Sequence, residues 1–126
     1  GLCFFREGEL IELILPWPPS ANNYIRHAGR FHYKTPAAKA FIKGVADEVL
    51  MKRSAKRLTS RLQVAIDLHQ PDKRKVDIDN RIKPLLDALQ AAGVYVDDEQ
   101  IDSLAVTRCK AIKGGCVRVA IEEVVA

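Results

Sequence analysis

Apolar and polar positions along the chain change period several times, and each change marks an element. Glu9 to Leu15 (ELIELIL) is almost continuously apolar over a short run and predicts a first strand at the centre of a sheet. Pro16, Pro18 and Pro19 end it, because proline cannot donate into a ladder and restricts the residue before it. Ala38, Phe41, Ile42, Val45 and Val49 then recur at helical spacing, which predicts a helix reaching about Arg57. Thr35 and Pro36 mark its start: a capping hydroxyl, then proline in the first turn. Lys52, Arg53, Lys56 and Arg57 would fill its last turns, where the helix dipole favours cations.

Leu62, Val64, Ile66 and Leu68 alternate with Gln63, Ala65, Asp67 and His69, the period of a half-buried strand. Ile82, Leu85, Leu86 and Leu89 return to helical spacing, and Gly93 is a natural helix stop. Val94 to Val96 predicts a short strand. Ser103 to Ile112 and Cys116 to Val124 predict a hairpin around Lys113-Gly114-Gly115. The order β-α-β-α-β-β gives an α+β fold in one domain over residues 1–126, with helices packed on a mixed or antiparallel sheet.

Composition changes this picture little. The chain has 126 residues, enough to bury about two-thirds of its unfolded surface. A net charge of +4 fits a nucleic-acid partner without requiring one. Three irregularly spaced cysteines point to a reducing compartment and show no zinc spacing with the histidines. The opening residues GLCFFREGEL are too short and too charged for a signal peptide, and no run approaches the roughly 18 apolar residues of a membrane span. The expectation is a soluble, cytoplasmic protein with no membrane partner.

Candidate chemistry gathers between Asp72 and Asp102. If Val76 to Asp79 are extended, Asp77 and Asp79 share a face, and Asp79 or Asn80 can cap the helix that follows. Lys83 lies one helical turn beyond Asp79, and Pro84 places it at the mouth of that helix. The strand from Val94 would deliver Asp97 and Asp98. Two carboxylates at about 4 Å repel by roughly 4 kcal/mol at an effective dielectric near 20, so such a cluster needs a cation. Oxygen ligands without clustered His or Cys favour Mg2+ or Mn2+. Lys73, Arg74, Lys75 and Lys83 supply the opposite charge that a phosphodiester needs, and the two together suggest metal-assisted phosphoryl transfer. The same residues also read as a turn, a helix cap and a Lys83–Asp87 surface pair. The spaced lysine and the second acidic pair favour the metal site. Further back, Asn23, Tyr24, Arg26 and Arg30 interleave polar, aromatic and basic side chains, a mixture suited to phosphates and unpaired bases or to a solvated loop. Trp17, between prolines, reads as packing its loop onto the core.

The pattern Asp77-x-Asp79-Asn80-x-x-Lys83-x-x-x-Asp87-x-Leu89, followed by Gly93 and Asp97-Asp98, resembles the RusA family of Holliday-junction resolvases. The segment Leu15-Pro16-Trp17-Pro18-Pro19-Ser20-x-Asn22 is similar to that family's opening signature, and the resemblance runs from about Leu10 to Val119. It implies a small homodimeric, Mg2+-dependent endonuclease that cuts four-way DNA junctions with paired nicks in recombination and repair. It also implies Asp77, Asp79 and Asp98 as catalytic metal ligands and Lys83 as the essential lysine. Asn80 would orient a carboxylate or cap the helix, and Asp97 and Asp87 would stand behind the ligands. A member of that family carries an arginine directly before the first aspartate; this chain has Val76, which would move the basic contact to Lys75 or Arg74. Two other classes stay open: a non-catalytic junction-binding module with a structural metal, and a metal-dependent nucleotide hydrolase.

Overall fold

The computed structural model describes residues 10–23, 25–28 and 31–124, and at positions 23, 26–28, 31 and 32 the backbone alone. Its elements are β1 (Leu10–Pro16), β2 (Ile25–Ala28), β3 (Phe31–Lys34), α1 (Pro36–Met51), β4 (Leu62–His69), α2 (Asp79–Ala91), β5 (Ile101–Arg108) and β6 (Cys116–Glu123). β1, β6, β4 and β5 form one mixed sheet in that order, and β2 with β3 forms a separate antiparallel hairpin. This is the α+β arrangement that the periodicity predicts.

The core lies on one face of the sheet. Ile11, Leu13 and Leu15 of β1, Val64, Ile66 and Leu68 of β4, and Val117, Val119 and Ile121 of β6 are buried together. Against them pack Phe41, Val45 and Val49 of α1 and Leu85, Ala88 and Leu89 of α2. Each strand contributes alternate residues, as the pleat requires. Thr35 caps α1 as predicted, its hydroxyl accepting from Ala38 N at 3.2 Å.

Several expectations are corrected. β1 is an edge strand, not a central one: Leu10 and Ile14, which make its sequence look buried on both faces, are each 55% exposed. α1 ends at Met51, six residues before Arg57, because its apolar face runs out at Val49 and Arg53 turns to φ 52°. The basic residues beyond it therefore lie in a connecting segment. The residues read as a loop after Asn22 include the β2–β3 hairpin, whose short strands lack an alternating apolar signal.

The larger correction concerns the last two strands. β5 and β6 are not a hairpin, since β4 lies between them, parallel to β5 and antiparallel to β6. The connection crosses the end of β4, with Cys109 N donating to Leu68 O and Ile112 N to Gln70 O. Gly115 permits that crossing: at φ 71° any Cβ there would sit 3.0 Å from both Pro71 and Trp17. The glycines mark a close passage rather than a two-strand turn. Val94 to Val96 is likewise no strand of the sheet. It makes one parallel bridge, Tyr95 to Leu58, beside the helix stop at Gly93.

Candidate active site

The loop after β4 is fixed through its backbone. Gln70 is buried, and its amide nitrogen donates to Asp72 O at 2.6 Å and to Arg74 O at 2.7 Å. Arg108 reaches from β5 and donates through Nη2 to Val76 O at 2.6 Å. These contacts hold main-chain carbonyls and leave most side chains of the loop outside. Lys73 and Lys75 are exposed. Arg74 is turned back on Asp72, donating from Nε at 3.1 Å and Nη2 at 2.8 Å to the same carboxylate oxygen. That pairing holds the Asp72 carboxyl below the usual carboxylate range. Both groups are solvated, so the pair contributes little to stability.

α2 begins at Asp79, one residue after Ile78, which is already in the right-handed helical region. Asp77 and Asp79 are therefore not neighbours on a strand, and neither Asp79 nor Asn80 caps the helix through its side chain. Both aspartates are exposed, Asp79 in the first turn where the helix dipole favours an anion. Arg81 ties this turn to the proline-rich loop: its Nη1 donates to Pro18 O at 2.7 Å, and its guanidinium lies 5.4 Å from the Trp17 ring centroid. Trp17 packs against the core as predicted.

One turn further along, Lys83 reaches two carboxylates at once. Its Nζ lies 3.0 Å from Asp87 Oδ1 and 3.2 Å from Asp98 Oδ2. Asp87 first, then Asp98, hold the ammonium pKa above its ordinary value. Beneath them Tyr95 is buried and donates to Leu86 O at 2.7 Å. Burial, then the charges of Asp98 and Asp87, push its phenol up.

The turn carrying Asp98 is held on every side. Gln90 of α2 accepts from Asp98 N at 2.9 Å. Buried Gln100 accepts from Asp97 N at 2.8 Å and Val96 N at 3.1 Å, and donates to Leu58 O at 2.8 Å and Ser60 O at 2.9 Å. Asp97 is exposed and accepts from Glu99 N at 2.9 Å, capping this short turn. Arg61 closes the outer side, at 2.6 Å from Asp102 and 3.2 Å from Glu99.

Of the expected site residues, Lys83 and Asp98 are in contact, joined by Asp87. Asp77, Asp79 and Asn80 flank them at the mouth of α2 without a side-chain hydrogen bond among the described residues. No three His, Cys, Asp or Glu side chains among the described residues converge into a metal-binding group. The donor chemistry nonetheless suits a hard divalent ion: the available ligands are carboxylate oxygens, and the Asp87–Asp98 corner already accepts a cation in Lys83. Tyr24 and Arg30 lie outside the described residues. Asn23 falls in the 3-10 turn Ala21–Asn23 packed on α2, and Arg26 in β2. Gln70, Gln90, Gln100 and Arg108 were not expected here. Only Gln100 has a local signal, the Asp97-x-x-Gln100 capping spacing.

With this geometry in place, a family model described as Endodeoxyribonuclease RusA matches residues 16–122. The chain belongs to the RusA family. Crossover junction endodeoxyribonuclease rusA of Enterobacteria phage HK97 is 35% identical over 112 residues, which is 89% of this chain and 93% of the relative. The Escherichia coli K12 protein of the same name is 36% identical over 112 residues, 88% of this chain and 92% of the relative. The RusA match takes in the proline-rich loop, α2 and the Asp98 turn together. No helix of the described residues is long and apolar enough to cross a membrane.

Proposed function

We propose that this chain is a metal-dependent endodeoxyribonuclease that resolves four-way (Holliday) DNA junctions by paired nicks, in recombination and repair. It acts as one domain over residues 1–126 and as a cytoplasmic homodimer, since two symmetric cuts call for two sites related by a twofold axis. The observation that carries this reading is the Lys83 ammonium held between Asp87 and Asp98, one turn from Asp79 at the open end of α2. Membership of the RusA family supports it.

Asp77, Asp79 and Asp98 would hold Mg2+, with Mn2+ as a substitute. A bound divalent ion polarises the phosphodiester and makes water a better nucleophile at neutral pH. Lys83 stays protonated and offers its charge to the phosphate or leaving oxygen, as preorganised cations do. Gln90 accepts from Asp98 N and Gln100 from Asp97 N, which keeps this turn's backbone in place. Asn80 stands beside the two aspartates, able to orient one of them, and Asp97 shapes the turn. Lys73, Lys75 and Arg74 would contact the phosphates beside the cut, and Asn23, Tyr24, Arg26 and Arg30 would supply further DNA contacts.

The test is cleavage of a four-way junction in Mg2+, against a linear duplex of the same sequence, with Asp79→Asn in parallel. Paired nicks in the junction alone, lost in Asp79→Asn while junction binding persists, are expected. Tight binding without cutting, in either Mg2+ or Mn2+ and across several junction sequences, would leave a binding module instead. Binding that ignores salt would point to a hydrolase of small nucleotides.

A further inference from the structure

A groove of about 640 Å3 lies between the end of β3, α1 and α2, apart from the basic loop at Lys73 to Lys75. Lys34, Lys39 and Lys43 edge it, and Ile25 and Ile42 form part of its floor. Asp87, the carboxylate that accepts Lys83 at 3.0 Å, lines it as well. The groove therefore meets the surroundings of the proposed cutting site at Asp87.

Its chemistry is mixed in a specific way. Lys39 and Lys43 sit four apart on one face of α1, with Lys34 facing them from the hairpin. Among the described residues, Lys34 and Lys39 have no carboxylate partner, and Lys43 has only the exposed pair with Asp47 at 2.8 Å. Asp87 shares Lys83 with Asp98, and Lys43 pairs with Asp47, so the groove's positive charge rests chiefly on Lys34 and Lys39. Yet its floor is apolar, and Ile25 is 47% exposed there. A duplex arm offers phosphates but keeps its base faces stacked away from such a floor. A locally unpaired strand offers both phosphates and uncovered base and sugar faces.

We propose that this groove receives an unpaired DNA strand segment at the branch point, with its phosphates on Lys34, Lys39 and Lys43 and a base or sugar face on Ile25 and Ile42. This rests on the junction-cutting reading, because the segment would lead from the groove past Asp87 to the scissile phosphate.

The experiment compares wild type with Lys34→Ala/Lys39→Ala and Lys34→Arg/Lys39→Arg. The probes are a four-way junction with 2-aminopurine at the branch and a linear duplex of matching sequence. For the alanine pair, the slope of log binding constant against log salt for the junction should flatten by about 1.4, near 0.7 for each of two lost single-strand phosphate contacts. The 2-aminopurine fluorescence rise seen with wild type should shrink, the linear duplex should be much less affected, and the arginine pair should restore both signals. An unchanged junction slope and fluorescence overturns the proposal. An equal loss on the linear duplex overturns it too, by making these lysines a duplex contact. Wild-type cleavage is the separate control: if wild type binds junctions but never cuts them, the nuclease reading fails while the binding data still decide the groove.

Discussion

The turn that carries Asp98 and the loop that leads to Asp77 are both pinned, but at different atoms. Around Asp98, side chains hold side chains and backbone alike: Gln100 is buried with four polar contacts, Gln90 accepts the Asp98 amide, and Lys83 grips the carboxylate. In the loop from Pro71 to Val76, Gln70 and Arg108 hold only carbonyl oxygens, and Lys73, Lys75, Asp77 and Asp79 project outward. One half of the site is thus set before anything binds. The other half has a fixed path and free side chains, which a cation and a phosphate could draw in. The difference matches what each half would do: a ligand must be exact in place, whereas groups that meet a long, flexible polyanion gain from adaptability.

Among the groups arranged around Asp98, the largest effect should come from the ammonium in the rigid half. Lys83→Ala should lower single-turnover junction cleavage by roughly 100- to 1000-fold while changing junction affinity far less. Its pH behaviour follows from the sign of the shift. Because Asp87 and Asp98 raise the Lys83 pKa in the folded chain, its stabilising contribution is complete below the unfolded value near 10.5 and disappears as pH rises through the folded value. A cleavage profile from pH 7 to 9 should therefore show no limb due to Lys83; a falling limb there that Lys83→Arg shifts upward would contradict the bridge.

Next comes the scaffold of the same half. Gln100→Ala removes the shared acceptor of Val96 N and Asp97 N and the donor to Leu58 O and Ser60 O. It should cost about 2 kcal/mol in urea unfolding, because buried groups are left unpaired. An unchanged midpoint would mean water replaces the amide and the turn is less dependent on it than argued. Arg108→Ala tests the other half. It frees Val76 O and should slow cleavage by about tenfold with little change in melting temperature, since the side chain is exposed. A large stability loss with normal cleavage would make Arg108 merely structural. The smallest effect is a gain. Asp72→Asn releases Arg74 from its pair and should tighten junction binding by roughly two- to fivefold at low salt, fading near 0.5 M as charges are screened.

The same contrast decides what could be read in the sequence. β4 and α2 were legible because Leu62 to Leu68 and Ile82 to Leu89 repeat with one period and bury one face. β6 was legible for the same reason, but its neighbours were not. Nothing local in Lys113-Gly114-Gly115 says that the chain crosses the end of β4 instead of folding back, because that choice depends on Pro71 and Trp17 far away in sequence. At the site, motif spacing names Lys83 and Asp98 separately, and their contact appears only in the structure. The Lys83–Asp87 pair, legible from its four-residue spacing, is present at 3.0 Å and is the shorter of the two contacts. Gln90 and Arg108 were invisible because each acts on a backbone atom supplied by another segment, and Gln70 because it acts on carbonyls of its own loop. Residue types that bond to backbone leave no pattern of their own.

The claim at the centre is that Asp98 is the preset carboxylate of a metal-dependent nuclease site. Its most direct test is single-turnover cleavage of a four-way junction by wild type and Asp98→Asn, at saturating protein with Mg2+ or Mn2+ titrated. Nicks should rise with metal in wild type and be lost, by about 1000-fold or more, in a variant that still folds and binds the junction. Cleavage by Asp98→Asn at the wild-type rate and the same metal midpoint would contradict it.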